Sequence, residues 1–201
     1  MVTVMLREMG AIENRVYRAY WNDGLLDVFA AIGVLLIGIA WTLDFVVGGA
    51  ITPALLLPLW GPFRQRFIEP RLGMVEFSEK RERTNRSRLL LVILLGIGAF
   101  ALAVSLHALR DRLALDPDVA LIAGLPALLL AIPAAITAML VSTGRFLVYA
   151  ALLVVAGGIG AMSGWEPGPI LVSAAVPILL IAGAVLVRFI RNNPVANEDL
   201  E

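Results

Sequence analysis

The sequence contains no cysteine and a single histidine, His107, in 201 residues. The lack of cysteine excludes disulfides, thiolate nucleophiles and thiolate metal sites, and one histidine excludes a multi-histidine metal centre within the chain. The 16 basic and 16 acidic residues give zero net charge, so the composition offers no sign of nucleic-acid binding. We therefore expect no metal, no cofactor and no nucleic-acid partner.

Two common signatures of catalysis are also missing from the sequence. The chain has no Walker loop for nucleotide phosphates and no Gly-x-Ser-x-Gly motif for a nucleophilic serine. Charge-coupled transport usually uses acidic residues near the membrane midplane, and the apolar tracts carry none at that depth. Catalysis is the least supported class of function, and we predict that the protein is not an enzyme and has no catalytic residues.

What the chain has in abundance is apolar sequence: 60% of its residues are apolar and the mean hydropathy is +0.88. A membrane-crossing helix needs about 20 mostly apolar residues. Four tracts meet this requirement, at 89–109, 119–141, 146–163 and 169–187.

A fifth apolar tract, 25–63, is too long for one pass of about 20 residues. It predicts two short helices, 25–42 and 45–62, joined by a tight turn at Asp44. An alternative is one long helix followed by a re-entrant segment, because glycine and proline make the second stretch a poor helix. We favour the first interpretation, which predicts an all-α membrane protein with six transmembrane helices.

The positive charges are distributed unevenly in this topology. With a cytoplasmic N-terminus, six passes put 14 of the 16 Lys and Arg residues on the cytoplasmic side and leave Arg110 and Arg112 outside. The positive-inside rule therefore predicts that both termini are cytoplasmic. The chain then divides into an interfacial amphipathic segment (1–24), a first helical hairpin (25–63), a basic cytoplasmic loop (64–88), four further transmembrane helices (89–187) and a cytoplasmic tail (188–201).

Proline and small residues recur in the predicted helices. The second, fourth and sixth helices each contain a proline followed by a leucine-rich stretch, at Pro53, Pro126 and Pro177. This recurrence suggests three helical hairpins of equal sense, although a chain so rich in Leu, Ala and Gly also produces such matches by chance. Small residues four apart, such as Ala120/Gly124 and Gly157/Ala161, predict close helix packing within the chain, with a second copy or with another protein.

The predicted cytoplasmic loop, 64–88, contains eight basic residues and four glutamates. Lys and Arg beside a membrane gain roughly 1 kcal/mol each from an anionic lipid surface, so anionic headgroups are expected ligands of this loop. The alternative is that these charges only set the topology. The candidate residues for lipid or partner binding are the basic residues of the loop: Arg64, Arg66, Arg71, Lys80, Arg81, Arg83, Arg86 and Arg88.

The same loop contains the stretch Pro70-Arg71-Leu72-Gly73-Met74-Val75-Glu76-Phe77, and Gly24-Leu25-Leu26-Asp27 opens the first predicted helix. These stretches resemble segments of small prokaryotic polytopic membrane proteins, which carry a Pro-Arg-x-Gly-x-Val-x-Phe pattern after a first helix containing Gly-Leu-x-Asp. The resemblance includes no catalytic motif and implies no activity. It implies a multi-pass protein of a prokaryotic inner (cell) membrane.

Two ionisable residues inside the predicted helices, Asp27 and His107, are candidates for an intramembrane polar site. Asp27 is one turn into the first helix and close enough to the cytoplasmic face to pair with Arg64 or Arg66, so a structural ion pair is the favoured role. A histidine titrates near neutral pH, but a lone histidine beside Arg110 is more typical of an interfacial residue.

Three functions remain open at this point. The favoured one is a non-catalytic integral membrane subunit that contacts lipid, a protein partner or a second copy through its basic loop. The alternative is a small permease, or the membrane component of a transporter, for an apolar or zwitterionic solute. A third possibility is an interfacial lipid-modifying enzyme that uses Glu69, Arg71 and Glu76.

Overall fold

The computed structural model describes residues 22–72, 120–141 and 143–194, together with eight isolated positions between 87 and 105. Every regular element in this part of the chain is helical. The helices are α1 (Leu25–Thr42), α2 (Val46–Phe67), α3 (Glu69–Leu72), α4 (Ala120–Val141), α5 (Arg145–Ser163) and α6 (Pro167–Asn192). The isolated positions are helical as well, and all except Ser87 lie within the tract 89–109 predicted as the third transmembrane helix.

Four helices of the described residues are long and apolar enough to cross a membrane: Leu25–Thr42, Ala123–Val141, Arg145–Ser163 and Pro167–Asn192. This number and the many exposed large apolar side chains indicate a membrane protein. Most of the predicted third helix lies outside the described residues. The tract 46–67 forms one continuous helix, α2, but this helix is not one of the four.

The turn between α1 and α2 lies where the sequence predicts it. Leu43 and Asp44 form the turn, and Phe45 donates its backbone N–H to the carbonyl of Ala40 at 2.8 Å. Asp44 has a φ of 55°, a left-handed conformation that aspartate tolerates better than most residues. The reversal places α1 and α2 side by side and antiparallel.

Helices α1 and α6 pack against each other along their length and run in opposite directions. A Cβ atom on Gly24 would lie 2.8 Å from the backbone nitrogen of Leu186, and one on Gly38 would lie 2.9 Å from that of Val172. Gly168 meets Thr42 equally closely at the far end. Because lipid provides no hydrophobic drive between helices, such backbone approach is a main source of their association.

Helices α4 and α5 form a second antiparallel pair with the same kind of contact. Gly124 faces the carbonyl of Gly157 and the backbone of Ala161, so the small residues predicted to mediate packing do so within the chain. The two most closely packed pairs are α1/α6 and α4/α5. In each pair, the two helices belong to different predicted hairpins. Between the pairs lies a shared core that includes Trp41, Leu153 and Leu171.

Candidate functional site

One end of the helix bundle collects the charged residues of the described chain. The start of α1, the end of α2, the start of α5 and the end of α6 meet there, because antiparallel packing alternates their directions. All six described arginines lie at this end, whereas the described charges of the opposite end are Asp44 and Glu166. The six are Arg64, Arg66, Arg71, Arg145, Arg188 and Arg191.

The centre of this arginine-rich end is Asp27, whose side chain is fully buried in the first turn of α1. The Arg145 guanidinium holds this carboxylate with two bonds, from Nε to Oδ1 at 3.1 Å and from Nη2 to Oδ2 at 3.2 Å. The hydroxyl of Tyr149 donates to Oδ1 at 2.8 Å. A bidentate arginine and a phenol together satisfy the carboxylate, which burial without such partners would make very costly.

A second ion pair lies beside the first. Asp23 accepts the backbone N–H of Leu25 at 2.8 Å, which helps begin α1, and its other oxygen lies 3.3 Å from Arg64 Nη1. The Arg64 guanidinium also lies over the ring of Trp60, with its central carbon 5.7 Å from the ring centroid. Both carboxylates lie at the N-terminal end of α1, where the helix dipole favours negative charge.

Together these residues form a charge network that joins three helices of the bundle. We define it by its two carboxylates, Asp23 and Asp27, its two arginines, Arg64 and Arg145, and Tyr149. It also reaches the surface, because Arg145 Nη1 donates to the side-chain oxygen of the exposed Asn22 at 2.7 Å. The formal charge of the network is zero, and each carboxylate has an arginine partner. The arrangement is therefore that of structural ion pairs that hold the helices together.

The sequence-based pairing of Asp27 needs correction. Asp27 was expected to pair with Arg64 or Arg66, but its partners are Arg145 and Tyr149, more than a hundred residues further along the chain. Arg64 pairs with Asp23 instead, and Arg66 is exposed. Sequence reasoning missed Arg145 and Tyr149, although one signal was present: the two residues are four apart at the start of α5, so they share a face of that helix.

The remaining predicted site residues divide into two groups. Arg66 lies in the last turn of α2, because that helix continues to Phe67, and Arg71 donates to the Phe67 carbonyl at 2.8 Å. The others lie outside the described residues: Lys80, Arg81, Arg83, Arg86, Arg88 and His107. The described part of the chain has no group of three or more His, Asp or Glu side chains placed to hold a metal ion.

An aromatic cluster flanks the charge network on α1 and α2. Phe29 packs edge-on against Trp60 and Phe63, with ring centroids 5.4 and 5.8 Å apart, and Phe63 stacks on Phe67 at 5.8 Å. Aromatic rings are typical of the depth at which a helix leaves the membrane core. The cluster therefore indicates that the arginine-rich end lies at a membrane–water boundary.

Burial raises the pKa of the Asp23 carboxyl, and this effect outweighs the hydrogen bond from Leu25 and the positive charge of Arg64, which both lower the pKa. The folded protein therefore binds this proton more tightly than the unfolded chain does. The contribution of the group to stability is full below its ordinary pKa and is lost as the pH rises through the raised value.

We predict that wild type gains stability relative to Asp23→Asn as the pH falls from about 7 to about 4. The asparagine keeps an oxygen for the Leu25 N–H but cannot bind the proton. Thermal unfolding in detergent, followed by tryptophan fluorescence, measures both proteins, and Asp44→Asn at the opposite end provides the baseline. The raised pKa of Asp23 would be contradicted if the stability advantage of wild type over Asp23→Asn shrinks or stays constant as the pH falls.

The fold and the charge network define the class of this protein as an all-helical membrane protein with an ion-paired end. Comparisons with known proteins do not narrow this class: no family model, no curated protein and no solved structure matches the chain.

Proposed function

We propose that the protein is a non-catalytic integral membrane component, with the arginine-rich end on the cytoplasmic side of a prokaryotic inner membrane. The observation that carries the proposal is the charge network. Ionisable residues inside a membrane usually mark a substrate, ion or proton path. Here Asp27 and Arg145 form a bidentate ion pair, which is typical of a structural contact rather than of a reactive group.

The packing of the helices supports the same function. Glycine-to-backbone contacts join α1 to α6 and α4 to α5, and Gly160 of α5 meets Ile170 of α6. Contacts of this kind leave little freedom for helices to move past one another, because packed interfaces deform in discrete steps rather than continuously. A bundle built this way is suited to present its ends to other molecules. The basic loop, 64–88, is the segment that we propose for contact with a partner protein or lipid.

A pull-down from native membranes tests this proposal. The tagged protein is extracted gently, and its stoichiometric partners are counted by mass spectrometry. We expect a reproducible protein partner that is lost when Arg81 and Arg83 are replaced by glutamine. The matched control replaces Arg110 and Arg112 by glutamine, which removes the same charge from the predicted opposite side and should leave the partner bound.

Two outcomes would overturn the proposal. The first is recovery of the chain without any stoichiometric partner, combined with solute uptake by proteoliposomes that contain it, which would favour a permease. The second is partner recovery that the two double variants change equally, because the basic loop would then have no particular part in the contact.

A further inference from the structure

Arginines of two contrasting kinds lie at the arginine-rich end. Arg64 and Arg145 are engaged by Asp23 and Asp27. In contrast, Arg66, Arg188 and Arg191 are exposed, and none of them has an ion-pair partner among the described residues. The positive charge that this end offers to other molecules therefore comes from the second kind.

Two of these exposed arginines, Arg66 and Arg191, each end an apolar stripe that faces outward. On α2 the exposed residues recur every four positions and end beside Arg66: Val47, Ile51, Leu55, Leu59 and Phe63. On α6 the exposed residues follow helical spacing and end at Arg191: Val176, Leu180, Ala184 and Val187. Residues three or four apart share a helix face, so each arginine stands at the head of a surface that faces lipid chains.

We propose that Arg66 and Arg191 bind the phosphate groups of anionic phospholipids, one at the head of each stripe. The stripe is about five turns long on α2 and about three turns long on α6, so each can accept part of an acyl chain, and the guanidinium at its end meets the headgroup at the membrane surface. Arginine suits this ligand because its planar donors match two phosphate oxygens. On α2 the exposed rings of Phe63 and Phe67 lie beside Arg66, at the depth expected for the lipid glycerol region.

The inference rests on the proposed membrane function and extends it. The sequence predicts lipid binding only by the basic loop. The structure extends this prediction to the end of α6, which the sequence assigned to a cytoplasmic tail. A free phosphate ion would bind the same donors, but only a ligand with an acyl chain can also contact the apolar stripe below each arginine. We therefore commit to a lipid.

The test measures the lipid that stays with the purified protein. Wild type and the double variant Arg66→Gln/Arg191→Gln are purified from vesicles that contain equal amounts of phosphatidylglycerol and phosphatidylcholine, and native mass spectrometry counts the retained lipids. Each arginine near an anionic surface favours binding about fivefold, so we expect the variant to lose at least tenfold of its preference for phosphatidylglycerol. The control Arg110→Gln/Arg112→Gln should retain the wild-type preference.

A second measurement separates the lipid from a free anion. Added phosphatidylglycerol should raise the Tm of wild type but not of the variant, and inorganic phosphate at the same concentration should raise neither. The proposal is overturned if the variant keeps the lipid preference, if inorganic phosphate stabilises wild type as well as the lipid does, or if the variant changes only the oligomeric state. Because lipid retention is measured on the isolated protein, its failure leaves the partner-recovery test of the proposed function unaffected.

Discussion

Replacing Arg145 by methionine is expected to lower the free energy of unfolding by about 3 kcal/mol. Removing one partner of a buried ion pair leaves the other charge buried and uncompensated, which typically costs 3–5 kcal/mol. We expect the low end of that range because 23% of the Arg145 side chain remains accessible to solvent. The Tyr149 hydroxyl alone would then face a fully buried Asp27 carboxylate.

The measurement is unfolding by SDS titration from mild detergent, followed by tryptophan fluorescence. Arg188→Met is the matched control, since it makes the same substitution at an exposed arginine of the same end and should change stability by less than about 0.5 kcal/mol. Adding Asp27→Asn to Arg145→Met removes the stranded charge and should recover most of the loss. If the double variant is no more stable than Arg145→Met, the Asp27 charge is not the source of the cost.

Replacing Gly124 by alanine is expected to lower the free energy of unfolding by about 2 kcal/mol. A Cβ atom at this position would collide with the carbonyl of Gly157, which belongs to the backbone of α5 and cannot rotate away. The helices must separate to admit it, and overpacking of this kind typically costs 1–3 kcal/mol. The loss arises although alanine is the better helix former.

Gly158→Ala provides the control for this prediction. Gly158 neighbours Gly157 on the same helix, but a Cβ atom there meets no other atom within 4 Å. Alanine at this position should therefore leave stability unchanged or raise it by about 0.5–1 kcal/mol through helix propensity alone. Equal effects of the two substitutions in SDS titration would show that α4 and α5 do not approach each other as described.

The local features of the fold could be predicted from the sequence. The bounds of α1, the turn at Asp44 and the helices α4 and α5 follow from runs of apolar residues and the polar groups that interrupt them. The role of Asp23 in starting α1 was also accessible, because an aspartate two residues before a helix can accept a free backbone N–H. Each of these features depends on residues close together in the chain.

The sequence by itself determined that this is a chain of apolar helices, with the described arginines near the helix ends. Only the tertiary structure decided that Asp27 binds Arg145 rather than Arg64, and that α1 packs on α6 and α4 on α5. The physical reason is that hydropathy shows where a helix runs but not which neighbour it meets, since lipid chains are as apolar as leucine side chains. The partner of a buried charge then depends on which helix ends the packed bundle brings together, and that is a property of the tertiary structure.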